Sequence, residues 1–132
     1  MEIINHESYV SLEVAKLLKE AGFDWECIKI YYNYPENTDN WSLEDNYMNH
    51  HYILHVDFAL LSPTLDVAQR WLREVKGYIL EITAVRKNPD DVYKTYIEYW
   101  YNIFEEGKCG HYDTYEEALE AGIKKSLEMI SK

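Results

Sequence analysis

Glycine and proline are scarce in this chain, five and three residues of 132. Loops that cradle phosphates need several closely spaced glycines, so Walker-type and dinucleotide-type loops have little to be built from. Cysteine is scarcer still. Cys27 and Cys109 stand alone, without the CxxC or CxxH spacing of a zinc or redox site. A small secreted scaffold would use more, and two reduced thiols in a cytoplasmic protein are the expectation. Positive charge is also short: Lys plus Arg total 13 against 24 Asp plus Glu, a formal net charge of −11. Non-specific nucleic-acid binding rests on Lys and Arg displacing counterions. The basic groups Arg70/Arg73 with Lys76, and Lys124 with Lys125, sit among acids on helix-patterned stretches. Direct contact with DNA or RNA is therefore disfavoured, as is docking on an anionic membrane. No apolar run approaches the roughly 20 residues of a membrane helix. The opening Met1-Glu2-Ile3-Ile4-Asn5-His6 has neither the basic start nor the apolar stretch of a secretory signal. GxSxG, GxGxxG and HExxH are all missing.

What is present is a globular balance, 47% hydrophobic and 28% charged, and one domain over 1–132 is expected for this length. Ser11 caps a first helix whose apolar face includes Leu12, Ala15 and Leu18, and Gly22 ends it. Cys27 to Tyr32 reads as a strand. The stretch Asn33 to His51 reads as a long loop carrying Glu36, Asp39, Glu44 and Asp45 with no Lys or Arg. Alternation of Tyr52, Leu54, Val56 and Phe58 predicts a second strand over His51 to Ala59. A second helix starts at Ser62-Pro63-Thr64, capped by Ser62 or by Thr64, and Gly77 ends it. Tyr78 to Arg86 and Val92 to Ile103 read as a hairpin. Phe104 to Asp113 reads as a turn in which Gly107 and Gly110 allow positive φ. Thr114-Tyr115-Glu116-Glu117 opens the last helix with a capping box.

The predicted fold is α+β: an antiparallel sheet of about four strands with three helices in the order α-ββ-α-ββ-α, the helices mainly on one face. Strand alternation then puts Tyr31, His55, Asp57, Glu81, Tyr96, Glu98 and Trp100 on the uncovered face. Tyr and Trp give large contact area at low entropic cost and recur in recognition surfaces. The 13 tyrosines of this chain favour such a surface, set against the ordinary preference of Tyr for strands.

Two constellations invite chemistry. In His50-His51-x-x-x-His55-x-Asp57, two histidines four apart would be neighbours on a helix. On the expected strand they stand about 13 Å apart at about 3.3 Å per residue, too far to share an ion. No metal site and no cofactor is therefore expected. Asp57, Glu81 and Glu98 beside His55 resemble acid–base carboxylates in type, but an open sheet face does not desolvate them. No catalytic residue is assigned.

The segments Ala68-Gln69-Arg70-Trp71-Leu72-Arg73-Glu74-Val75, Tyr112-Asp113-Thr114-Tyr115-Glu116-Glu117-Ala118-Leu119-Glu120 and Ser11-Leu12-Glu13-Val14-Ala15-Lys16-Leu17-Leu18-Lys19-Glu20-Ala21-Gly22-Phe23 together resemble small uncharacterised proteins. These proteins belong to gut anaerobes and to their phages and mobile elements. The resemblance implies no activity and no functional residue. The Thr-x-Glu-Glu-Ala helix is also similar to antitoxin-type domains, although the glycine-rich strand of that group is missing here. The expectation is a non-enzymatic acidic module that engages a protein partner or itself through the aromatic face. The alternatives are an acidic nucleic-acid mimic that inhibits a DNA-binding enzyme and a small hydrolase using His and carboxylates on the sheet.

Overall fold

A computed structural model describes residues 8–35 and 38–131. The fold is α+β, with two three-stranded antiparallel sheets and four helices among the described residues. The chain divides into two compact units, Met1–Ala68 and Gln69–Lys132. The single four-stranded sheet read from the sequence is thus corrected to two separate sheets.

In the first unit, α1 spans Leu12–Glu20. Ser11 Oγ accepts from the Val14 N–H at 3.2 Å, satisfying one of the free donors of the first turn. At its far end Gly22 takes φ +94°, which leaves the Phe23 N–H to donate to Leu18 O and the Gly22 N–H to Lys19 O. This pair of bonds is a Schellman stop, and it needs a residue without Cβ at Gly22. Val14, Ala15 and Leu18 are buried with Phe23, Ile30, Ile53 and Leu60 in the first core.

The first sheet runs β2-β1-β3 with β1 at Lys29–Asn33, β2 at Trp41–Asp45 and β3 at Ala59–Leu61. Two expectations fail here. The stretch Asn33 to His51 is not a plain loop, because Trp41–Asp45 pairs with β1 in register Asn33↔Trp41 to Lys29↔Asp45. The stretch His51 to Ala59 is not a strand. His50–Ile53 forms a short helix, α2, because Asn49 Oδ1 accepts from the Tyr52 N–H at 3.1 Å and Ile53 turns inward, 2% exposed. The apparent alternation at Tyr52, Leu54, Val56 and Phe58 falls across a helix and a turn, and only Ala59–Leu61 joins β1.

Helix α3 spans Leu65–Val75, and the division between the two units falls within it. Its start is capped by Thr64, whose Oγ1 accepts from the Val67 N–H at 3.4 Å, while Ser62 is fully buried. In the second unit Gln69 Nε2 donates to Leu80 O at 2.7 Å. Trp71 is 1% exposed with the Lys76 ammonium over its ring.

The second sheet runs β4-β5-β6, with β4 at Leu80–Lys87, β5 at Tyr96–Ile103 and β6 at Gly107–Tyr112. The hairpin of β4 and β5 is as the loop length predicts. Its second strand begins at Tyr96 and not at Val92, because Asn88, Asp91 and Thr95 tie residues 88–95 into a turn of their own. The stretch expected as a turn over Phe104 to Asp113 is mostly strand. The chain reverses tightly after Ile103, Gly107 takes φ +109°, and β6 returns along β5.

Helix α4, Tyr115–Ile130, covers one face of this sheet. Thr114 Oγ1 accepts from the Glu117 N–H at 3.0 Å at its start. Ala118, Leu119, Gly122, Ile123 and Leu127 are buried with Leu80, Tyr101 and Ile103, each large side chain contributing about 1.5–3 kcal/mol. Gly122 lets the helix approach so closely that a Cβ there would lie 2.5 Å from Leu80 Cδ1 and 3.0 Å from Tyr101 Cβ.

Candidate functional site: the open face of the second sheet

Strand pairing assigns the two faces of the second sheet. Leu80, Ile82, Tyr101 and Ile103 lie on the face that α4 covers. Glu81, Thr83, Val85 and Lys87 of β4 alternate to the other face, together with Tyr96, Glu98 and Trp100 of β5. On that face Trp100 stands opposite Thr83, Glu98 opposite Val85, and Tyr96 opposite Lys87.

The site is organised by Glu98. Its side chain is only 13% exposed, and it gathers donors from two strands besides its own. Oε2 accepts from Trp100 Nε1 at 3.2 Å and from His111 Nδ1 at 2.9 Å, with Lys87 Nζ at 3.8 Å. Oε1 accepts from the Tyr96 hydroxyl at 3.3 Å. A carboxylate has no proton to give, so His111 carries its proton on Nδ1. Desolvation alone would push the Glu98 carboxyl up. The hydrogen bonds from His111 and Trp100, and the charges of His111 and Lys87, outweigh it and hold the group below the usual Glu range. With three hydrogen bonds to its oxygens and its carboxyl held below the usual Glu range, Glu98 is poorly suited to act as a general acid. Its role is to fix the rings around it. Burial, together with the neighbouring Glu98 charge, pushes the Tyr96 hydroxyl above its ordinary value.

A β-bulge brings His111 into this cluster. Tyr99 pairs with Tyr112 but Trp100 pairs with Gly110, which leaves His111 as the extra residue of β6. His111 takes φ 88°, a conformation most side chains avoid. Its ring meets the Trp100 ring at 4.6 Å and 62°. Gly110 makes room beneath, since a Cβ there would run into the Trp100 ring. Gly110 thus serves through its missing side chain and not through the positive φ expected of it.

The residues proposed from sequence divide between the units. Glu81, Tyr96, Glu98 and Trp100 share the open face of the second sheet, Glu81 exposed and opposite Asn102. Tyr31, His55 and Asp57 belong to the first unit. Tyr31, on β1, is half-buried and its hydroxyl donates to Val10 O at 2.8 Å. His55 and Asp57 are exposed in the segment between α2 and β3, so the strand geometry assumed for them is corrected. There the His51 and His55 rings lie 4.8 Å apart, as neighbours and not the about 13 Å of an extended strand. Lys87 and His111 were missed. His111 was hidden because bulged strands with flanking glycines read as turns.

Among the described residues, no group of three or more His, Cys, Asp or Glu side chains is placed to hold a metal ion. No described helix is long and apolar enough to cross a membrane. No protein-family model, no curated protein and no solved structure matches the chain.

Proposed function

We propose that this chain is a non-enzymatic binding module that engages a protein surface through the open face of β4, β5 and β6. The observation that supports this most is the Glu98 cluster. Trp100, His111 and Tyr96 are held in one arrangement by a shared carboxylate on the face of the sheet opposite α4. Side chains ordered before binding lose less entropy on association, and Trp and Tyr are the residues that dominate binding energy when a partner desolvates them. A partner with net positive charge is favoured over a second copy. Two bodies of −11 repel at long range, whereas a basic surface is drawn in.

The test uses immobilised full-length chain exposed to cell lysate at low and high salt, beside its Trp100→Ala and Glu98→Gln variants, with light scattering of the free chain. The expected result is a protein retained at low salt, released as salt rises and lost in both variants. Retention that survives Trp100→Ala would sink the reading. A dimer that both variants disrupt would keep the face and exchange the basic partner for a second copy.

A further inference from the structure

The first unit contains a second feature, independent of the sheet face just described. A groove of about 580 Å³ opens between strands β1 and β2 and the segment that runs from Tyr47 to Phe58. Its walls are aromatic: Tyr32, Tyr47, Tyr52 and Phe58. Tyr32 meets Phe58 edge-on at 5.9 Å and 88°, and Tyr52 meets Phe58 at 6.3 Å. Tyr34 stacks on Tyr32 at 6.2 Å and 9°, which holds that wall in place. Glu44 and Asp45 stand among the lining residues, and no Lys or Arg does.

The two carboxylates are not equivalent. Asp45 pairs with Lys29 at 2.6 Å. The hydrogen bond and charge of Lys29 hold its carboxyl below the usual Asp range. Glu44 accepts only a hydroxyl hydrogen bond, from Ser42 Oγ at 2.9 Å. No cation pairs with it among the described residues. The groove therefore combines aromatic rings, whose faces carry negative quadrupole potential, with a carboxylate that no cation pairs among the described residues.

We propose that this groove binds a small organic cation with a methylated ammonium head. A primary ammonium is strongly hydrated, and only the carboxylates and tyrosine hydroxyls of the lining could replace its water, since the rings, Ile30 and Met48 offer no such acceptor. A quaternary head has no donor to leave unpaired. It gains from apolar contact and from negative potential together, which is what this wall offers. The volume lies within the roughly 300–1,000 Å³ of small-molecule sites.

The test is titration of the full chain at low salt with choline chloride and, separately, with 3,3-dimethyl-1-butanol, its uncharged carbon isostere. Amide and methyl NMR shifts and calorimetry provide the readout. Choline is expected to give saturable shifts at Met48 and along β1 and β2. The alcohol is expected to bind at least about tenfold more weakly, the scale of a cation–π contact in a partly open site. Tyr52→Ala and Glu44→Gln should each weaken choline by about three- to tenfold. Tyr52 is 52% exposed, so its replacement leaves the core alone, and circular dichroism verifies the fold of both variants. Equal affinity for choline and the alcohol would overturn the proposal, since the groove would then be merely apolar. The absence of a saturable response to choline in the millimolar range, or a response confined to the second unit, would overturn it as well.

Discussion

Glu98 concentrates most of the second unit's polar chemistry in one side chain. Because its folded pKa lies below the ordinary Glu value, the unfolded chain takes up the proton first as pH falls. The stabilisation is therefore present in full above the unfolded carboxyl range and is lost as pH drops through the folded value. Glu98→Gln is expected to lower the melting temperature at neutral pH. The gap from the parent chain should close on acidification through the carboxylate range, as thermal melts across pH will show. A gap that is the same at every pH would mean that Glu98 acts by packing alone. The two cysteines allow a second test at this scale. Desolvation pushes the Cys27 thiol up to about 12, whereas Cys109 is exposed. Since the thiolate is the nucleophile, iodoacetamide at mildly alkaline pH should alkylate Cys109 and leave Cys27 until denaturant is added. Peptide mass spectrometry reads the outcome directly.

At the scale of elements, the bulge in β6 determines what the open face presents. Without the extra residue, His111 would alternate away from Trp100 and the Glu98 carboxylate would lose one of its donors. The bulge is accommodated by Gly110, whose missing side chain is occupied by the indole of Trp100. Gly110→Ala is expected to destabilise the chain by about 1–3 kcal/mol, the cost of forcing a well-packed ring aside. It should also move the Trp100 indole N–H resonance, which a purely local backbone effect would leave in place. Denaturant titration and NMR of the variant check both. Elsewhere, capping prevails over alternation. The Asn49 cap and the burial of Ile53 accompany a helix over His50–Ile53 although the residues around it repeat with a period of two.

Across the whole molecule the excess of acid governs behaviour in solution. With a net charge of −11 and a pI near 4.8, copies repel at neutral pH and lose that repulsion on acidification. Solubility is expected to pass through a minimum near pH 4.8, measured by turbidity across a pH series at fixed salt. Added salt at neutral pH should leave the chain soluble while weakening any association that the negative charge steers, since the Debye length falls to about 8 Å at physiological ionic strength.

The α+β class and three of the helix starts could be read from residues alone, because a cap is a local matter: Ser11, Thr64 and Thr114 each accept from an N–H three residues on. The β4–β5 pairing was likewise legible, and with it the grouping of Glu81, Tyr96, Glu98 and Trp100, since alternation within a hairpin is decided by neighbours in the chain. What local pattern could not supply was partner choice. Whether Trp41–Asp45 and Gly107–Tyr112 become strands depends on edges offered by β1 and β5, and those edges exist only once the chain has folded. The same holds for His111 beside Glu98, 13 positions apart in sequence, and for the four rings of the groove. Side chains distant along the chain meet because two sheets form where the period of the residues alone implied one, and pairing across strands is a tertiary choice.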